Sequence, residues 1–234
     1  MKLYVTKTYN IEEVFGGNLS EILSMLDKDR QKRAVLIRHK QEAARSIFAG
    51  LLLRYAYLCE GYGEDTWQQE KIGHGRYGKP YIIKKTKFHY SLSHSGEWVF
   101  CAVDNSPIGA DIQELRPWKL SMAERFFAKS EYEWLAAFGA DCDREQTKLF
   151  YKMWTAKESC VKLTGRGIGA GIDQYRVNQD FTKINVVDSQ EFPIKIYESI
   201  SGYMVCICSE GENFPDSLIM VSLEKLVESR KTEG

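Results

Sequence analysis

The sequence lacks the features of a membrane-spanning or secreted protein. No apolar run approaches the roughly 18 residues that a membrane span needs, and residues 1–7 read as a strand without the apolar core of a signal peptide. The six cysteines form no C-x-x-C pair, and most stand in apolar surroundings, where a free cysteine behaves as a small hydrophobic residue. We therefore expect a reduced, cytoplasmic protein with no membrane contact and no disulfide framework.

An excess of charge of either sign is also missing, since 32 Lys and Arg residues balance 32 Asp and Glu residues. A nucleic-acid partner, which favours a basic protein, is therefore not expected. Three of the four histidines, His39, His74 and His89, show no mutual spacing suited to zinc. The Gly-x-Ser-x-Gly turn is absent as well, which disfavours a serine hydrolase built on Ser93 or Ser95 but leaves it as an alternative.

The chain does contain enough apolar sequence for a substantial core, because 44% of its 234 residues are hydrophobic. Both halves run in the order strand, helices, strands, and residues 95–102 (SGEWVFCA) resemble residues 201–208 (SGYMVCIC). We predict an α+β fold of two similar α+β subdomains related by a pseudo-two-fold axis. The predicted N-terminal subdomain comprises residues 1–106 and the C-terminal one residues 107–234.

Local patterns predict several elements of this fold. One long helical region opens at Asp27 and reaches about Cys59, with Leu36 on its packed side. The turn signal at residues 104–107 (DNSP) predicts a hairpin between strands at residues 98–103 and 108–112. Ser130 and Glu133 fit a capping box at a helix start.

Residues 154–162 (WTAKESCVK) predict a helix with one buried face. We expect it to end at Gly165, because glycine adopts without steric cost the left-handed conformation that follows many helices. Glu158 and Lys162 lie four residues apart and therefore share a face of this helix. They form either a surface ion pair or part of a functional site, and the helix pattern alone does not separate the two interpretations.

Asp111 and Gln113 are two residues apart on a predicted strand, so their side chains point to one face. If this face meets Glu158, two carboxylates and an amide oxygen converge, which suits a hard cation such as Mg²⁺. Lys162 would then contact a phosphate bound to the same ion. The alternative is an ordinary contact between a strand and a helix.

Two further groups of polar residues suit an anion. Ser93, His94 and Ser95 fit a phosphate site better than a nucleophile with its base, although a serine-rich strand end is the simpler interpretation. A set of basic side chains on the predicted helical region forms either a solvated face or an anion site: Arg30, Arg33, Lys40 and Arg45.

Four motifs together resemble a known family. In chain order they are residues 78–80 (GKP), 93–95 (SHS), 109–113 (GADIQ) and 154–162 (WTAKESCVK). Their order and spacing resemble those of the 4'-phosphopantetheinyl transferases, in particular the larger, monomeric, surfactin-type group. The resemblance covers nearly the whole chain, including residues 39–45 (HKQEAAR).

The resemblance implies an enzyme that moves the phosphopantetheine arm of coenzyme A onto a serine of an acyl- or peptidyl-carrier protein and releases adenosine 3',5'-bisphosphate. It assigns Mg²⁺ to Asp111 and Glu158, with Gln113 at a position where the family often has a second acid. Glu158 would also take the proton of the attacking serine, and Lys162 would steady the pyrophosphate. The remaining groups that it assigns to coenzyme A are Arg30, Arg33, Arg45, Lys79, Ser93 and His94.

The resemblance also implies the protein partner. It places the contact with an acidic, helical carrier protein on residues 165–192, where Arg166, Ile168 and Tyr175 are candidates. A monomer is expected. The competing hypothesis from another class is a non-catalytic module that binds a nucleotide or a carrier protein without turnover, which would not require a base beside the metal.

Overall fold

The computed structural model describes residues 1–16, 18–138, 144–167, 171–187 and 190–228. These residues form both helices and sheets, which confirms the α+β class. The strands are β1 (Lys2–Lys7), β2 (Ile72–His74), β3 (Pro80–Ile82), β4 (His89–Ser95), β5 (Trp98–Asp104), β6 (Ile108–Glu114), β7 (Tyr175–Val177), β8 (Lys183–Val186), β9 (Gln190–Tyr197), β10 (Tyr203–Ser209) and β11 (Ile219–Met220). The helices are α1 (Ile11–Phe15), α2 (Leu19–Ser24), α3 (Lys28–Ala34), α4 (Lys40–Cys59), α5 (Glu64–Gln69), α6 (Leu120–Phe126), α7 (Lys129–Ala136), α8 (Arg144–Thr164) and α9 (Leu223–Val227), with a 3₁₀ turn at Ile172–Gln174.

Two long helices enclose two sheets that pack face to face. The first sheet has the order β11-β1-β5-β4 and the second the order β6-β10-β9-β8-β7. Side chains of β5 alternate between the layers: residues 99, 101 and 103 join a core with α4, and residues 98, 100 and 102 join a core with β6 and β10. The long helix α8 packs on the other face of the second sheet. Of the described helices, none has the length and apolarity of a membrane span.

The helix α8 approaches the strand β6 at a glycine. A Cβ atom on Gly109 would lie 1.9 Å from the carbonyl oxygen of Ser159 and 2.4 Å from the backbone nitrogen of Leu163. Only a residue without a side chain fits at such a distance. Gly109 therefore lets the helix that carries Glu158 lie directly on the strand that carries Asp111.

A ladder of serine side chains joins the two sheets where β4 meets β6. The hydroxyl oxygens of Ser91, Ser93 and Ser95 accept hydrogen bonds from the backbone N–H groups of residues 110, 112 and 114, at 2.9, 3.2 and 3.0 Å. The serines on β4 and the N–H groups on β6 increase together in steps of two residues, so β4 and β6 run in the same direction. These hydroxyls satisfy N–H groups on the edge of β6 that would otherwise be buried without a partner.

The predicted hairpin across residues 104–107 is wrong. The strand β5 has β1 on one edge and β4 on the other, whereas β6 pairs with β10 in the second sheet. Since both edges of β5 are occupied, the turn carries the chain from one sheet to the next.

Two helix predictions are wrong as well. The region from Asp27 to Cys59 contains two helices, and Leu36, in the break between α3 and α4, is 77% exposed because no helix holds it on the packed side. The capping group of α7 is Glu131 rather than Glu133, since its carboxylate accepts from the backbone N–H of Ala128 at 2.9 Å.

The end of the described chain returns to the N-terminal sheet. The strand β11 pairs in parallel with β1, and Leu226 in α9 belongs to the core around α4. Residues 219–227 thus contact the N-terminal sheet and the core around α4. The division into residues 1–106 and 107–234 and the pseudo-two-fold relation between the halves stay predictions.

Candidate functional site

Asp111 lies on β6, 1% exposed, with its carboxylate held from three sides. The Ser93 hydroxyl and the Lys162 ammonium each donate to Oδ1 at 2.7 Å. The Gln113 side-chain amide donates to Oδ2 at 3.0 Å, so Asp111 and Gln113 do share one face of the strand. This carboxylate is fixed in place by groups from β4, β6 and α8.

Glu158, on α8, differs from Asp111 in having a buried carboxyl group with no partner. It is 8% exposed and lines a cavity of about 370 Å³. Within the described parts of the chain, no hydrogen bond or ion pair reaches its carboxylate. Burial and the nearby charge of Asp111 raise the pKa of Glu158 from 4.5 to about 7, against the opposing effect of Lys162. The interpretation of Glu158 and Lys162 as a surface ion pair is wrong, because Lys162 pairs with Asp111.

The donor set fits a hard divalent cation. Asp111 and Glu158 interact electrostatically, and a bound cation would compensate the charge of the Glu158 carboxylate, which is buried without a partner. Gln113 presents its amide nitrogen to Asp111, while its Oε1 lies 3.5 Å from the Ser95 hydroxyl. Coordination by Gln113 would require its amide to turn, so its place in the ligand set stays a prediction. No cluster of three His, Cys, Asp or Glu ligands occurs in the described residues, so any metal here relies on the two acids.

The cavity at Glu158 lies between the two halves of the molecule and is bordered by the predicted Gly78-Lys79-Pro80 motif. The Lys79 ammonium donates to the carbonyl oxygens of Ile108 and Leu163, at 3.1 and 3.0 Å, and burial lowers its pKa. Lys79 therefore connects the motif to both β6 and the end of α8, and adds a positive charge to the cavity wall.

A second cavity, of about 150 Å³, adjoins the first and contains the predicted basic residues Arg30 and Arg33. The two cavities share Gly78, Pro80 and Tyr90 as lining residues. An extended anionic ligand could thus reach from the two acids to the arginines of α3. A further cavity, of about 610 Å³, lies by the start of α4 and is lined by Lys40, one of the basic residues of the predicted anion site.

Arg45 and His94 lie on a third side of the site. The Arg45 guanidinium donates from Nε to the carbonyl oxygen of Gly96 at 3.0 Å and pairs with Glu42. His94 is exposed, yet partial desolvation lowers its pKa, and the charges of Arg45 and Lys162 lower it further, against the effect of Glu42. A neutral imidazole can donate one hydrogen bond to a phosphate oxygen.

The geometry of β4 argues against a serine hydrolase. Ser93 is buried and bonded to Asp111, whereas its neighbour His94 is exposed and points to the opposite face of the strand. The two cannot act as a nucleophile and its base. Ser93 also uses its hydroxyl both as a donor and as an acceptor inside the protein, so its role as a phosphate ligand stays a prediction.

One of the three candidate carrier contacts is wrong. Tyr175 is 1% exposed, and its hydroxyl lies 3.1 Å from that of Thr164, so it packs against α8. Arg166 is exposed at the end of α8, and Ile168 lies outside the described residues.

Sequence reasoning missed two features around the site. The first is the ladder in which Ser91, Ser93 and Ser95 bond to β6, for which the alternation of serines at residues 91, 93 and 95 was the available signal. Lys157 and Glu131 form a buried ion pair beside Glu158, for which the local sequence carries no signal.

Comparison with known proteins finds relatives that match most of the chain. The 4'-phosphopantetheinyl transferase superfamily matches residues 107–212, which include α8 and all five strands of the second sheet. The 4'-phosphopantetheinyl transferase Sfp of Bacillus subtilis (strain 168) is 35% identical over 209 residues, which cover 88% of this chain and 91% of that protein. A second 4'-phosphopantetheinyl transferase of Bacillus subtilis is 32% identical over 232 residues, covering 97% of this chain and all of that protein (100%). The 4'-phosphopantetheinyl transferase psf-1 of Bacillus pumilus is 33% identical over 213 residues, 89% of each chain.

These relatives span nearly the whole chain at identities above 30%. The chain therefore belongs to the 4'-phosphopantetheinyl transferase family, in its surfactin-type group. The family predicted from the four motifs is confirmed.

Proposed function

We propose that the protein transfers the 4'-phosphopantetheine arm of coenzyme A to a serine of an apo acyl- or peptidyl-carrier protein, with Mg²⁺ as cofactor and adenosine 3',5'-bisphosphate as the released product. The observation that carries this proposal is the pair of dissimilar carboxylates, Asp111 and Glu158, which interact electrostatically, with Glu158 lining a cavity together with Lys79 and Lys162. The family membership supports the same reaction class.

The proposed mechanism assigns a separate task to each side chain. Asp111 and Glu158 would hold the Mg²⁺, which when bound neutralises charge on the pyrophosphate of coenzyme A. Glu158 would also accept the proton of the attacking serine, directly or through water. Lys162 would contact the same pyrophosphate while it keeps Asp111 in position.

The proposed anion contacts follow the two adjoining cavities. Lys79 lies on the wall beside Glu158, Arg30 and Arg33 line the second cavity, and His94 and Arg45 lie near Lys162. Ligands of this size and charge need several fixed cations, because each phosphate must exchange its water shell for protein donors. We further propose that the enzyme acts as a cytoplasmic monomer with no nucleic-acid or membrane partner.

The proposal is tested by incubating the protein with coenzyme A, Mg²⁺ and an apo carrier protein, followed by mass spectrometry of the carrier. We expect the mass of one phosphopantetheine to be added and adenosine 3',5'-bisphosphate to be released. An unmodified carrier across a panel of fatty-acid, polyketide and peptide carriers would favour the non-catalytic binding module. The relative rates over the panel would identify the pathway that the enzyme serves.

A further inference from the structure

The residue before the proposed base is a lysine that the mechanism does not use. Lys157 is 0% exposed, although lysine is seldom fully buried unless it is paired. Its ammonium donates to Glu131 Oε2 at 2.7 Å, to the carbonyl oxygen of Ile172 at 3.4 Å and to that of Tyr175. Three acceptors match the three N–H donors of an ammonium group, so the lysine is fully satisfied.

Glu131, the partner of Lys157, is also buried, and both of its carboxylate oxygens accept hydrogen bonds. Glu131 is 4% exposed, and its carboxylate also accepts from the backbone N–H groups of Ala128, at 2.9 Å, and of Val177, at 3.0 Å. The buried pair, Lys157 with Glu131, therefore connects three elements: the start of α7, the middle of α8 and the segment from Ile172 to Val177.

This connection fixes the position at which the chain returns to α8. The chain leaves α8 after Thr164, passes Gly165 and Gly167, which line the cavity at Glu158, and returns at Ile172. Lys157 holds the returning segment at two carbonyl groups, and the contact between the hydroxyls of Tyr175 and Thr164, at 3.1 Å, secures it further. Both ends of the connection are thus fixed to one helix.

None of the residues proposed for coenzyme A lies on the segment from Ile172 to Val177. Arg30 and Arg33 are on α3, Arg45 on α4, Lys79 precedes β3, Ser93 and His94 are on β4, and Lys162 is on α8 itself. Release of the segment from Ile172 to Val177 would leave all of these groups in place. Its effect should therefore fall on the second substrate, which must bring a serine to Glu158 past residues 165–167.

We propose that the buried pair is a positioning device for carrier-protein recognition: Lys157 and Glu131 hold the segment from Ile172 to Val177 on α8, so that this segment presents a fixed surface to the carrier. The proposal rests on the proposed transferase function. It assigns to Lys157 a role separate from that of its neighbour Glu158, since its ammonium is directed away from the cavity and into the protein.

The double variant Lys157→Met/Glu131→Gln tests this role. It removes both charges, because a single substitution would leave an unpaired charge in the core. We expect the KM for the carrier to rise about tenfold or more, since displacement of groups remote from the chemistry can cost up to ~100-fold. We expect the KM for coenzyme A to stay within about twofold, and hydrogen exchange to accelerate in peptides that cover Ile172 to Val177.

The matched control is Arg54→Met, in the other half of the molecule. Arg54 is also a buried cation, 1% exposed, which pairs with Glu64 and donates to the carbonyl oxygen of Leu226 at 3.2 Å. This variant should lose thermal stability while both KM values stay near those of the wild type.

Three results would overturn the proposal: an unchanged carrier KM in the folded double variant, an equal rise in both KM values, or the same carrier defect in Arg54→Met. If the double variant does not fold, Lys157→Gln/Glu131→Gln, which also removes both charges but keeps polar side chains, is judged by the same criteria. A wild-type protein that modifies no carrier would instead contradict the transferase function. Exchange rates at Ile172 to Val177 that do not differ between wild type and variant would count against the buried pair independently of activity.

Discussion

The site contains two carboxylates in opposite surroundings. Asp111, on the strand, accepts hydrogen bonds from Ser93, Gln113 and Lys162, whereas Glu158, on the helix, is buried beside it with no partner among the described residues. The carboxylate of Asp111 is held in place by its three donors, whereas that of Glu158 has a pKa of about 7. Two environments thus give one type of functional group two tasks, a fixed ligand and a base near its working pH.

The contrast between the two carboxylates predicts that Glu158→Gln lowers the transfer rate more than any other substitution considered below. Glutamine keeps the size of the side chain but cannot accept a proton, so the transfer rate should fall by about two to four orders of magnitude. Steady-state transfer of phosphopantetheine to a carrier, followed by mass spectrometry, measures it. A variant with at least a tenth of the wild-type rate would show that another group takes the proton.

A smaller loss is predicted for Ser93→Ala, which removes a donor to Asp111 without removing the acid. Loss of a hydrogen-bond partner behind a metal ligand typically costs about 10- to 100-fold in metal affinity or activity. The concentration of Mg²⁺ that gives half-maximal rate should therefore rise. Ser91→Ala is the matched control, because Ser91 belongs to the same ladder but bonds only the N–H of Ala110. An equal metal requirement in both variants would mean that Ser93 only joins the sheets.

The raised pKa of Glu158 predicts a pH-dependent cost to stability. The folded state holds this proton up to about pH 7, whereas an unfolded chain releases it near 4.5. Unfolding is therefore favoured progressively as the pH rises through this window, and the cost is constant above it. Without Mg²⁺ and coenzyme A, Glu158→Gln should melt at a higher temperature than the wild type at pH 8, and the difference should vanish towards pH 4.5. An equal difference in melting temperature at pH 8 and at pH 4.5 would contradict the raised pKa of Glu158.

The smallest change in activity is expected for Gln113→Glu, which adds a second carboxylate to the strand that carries Asp111. A third carboxylate beside Asp111 and Glu158 adds negative charge for the metal, so half-maximal activity should require several times less Mg²⁺. Titration of Mg²⁺ at saturating coenzyme A measures the change. An unchanged or higher requirement would show that this position lies outside the metal site.

The parts of the site that follow local periodicity could be predicted from the sequence. Asp111 and Gln113 share a face because strand side chains alternate, and Glu158 and Lys162 share one because they are four apart on a helix. The α+β class and the helix end at Gly165, which has a φ of 64°, follow from equally local patterns.

What depends on distant partners could not be predicted. Lys162 pairs with Asp111, 51 positions away, rather than with Glu158 on its own helix. The hairpin prediction failed because a turn signal shows that the chain reverses but not which sheet receives it. Tyr175 and Lys157 have the sequence character of surface residues, yet long-range packing buries both.

The central proposal is that Asp111 and Glu158 share one cation. Titration with Mn²⁺, as a probe for Mg²⁺, measures how many ions bind per chain in the presence of coenzyme A. The titration compares the wild type with Asp111→Asn and Glu158→Gln. We predict one ion for the wild type and a marked loss of affinity in both variants, with folding unchanged. Wild-type affinity in either variant would contradict the shared site.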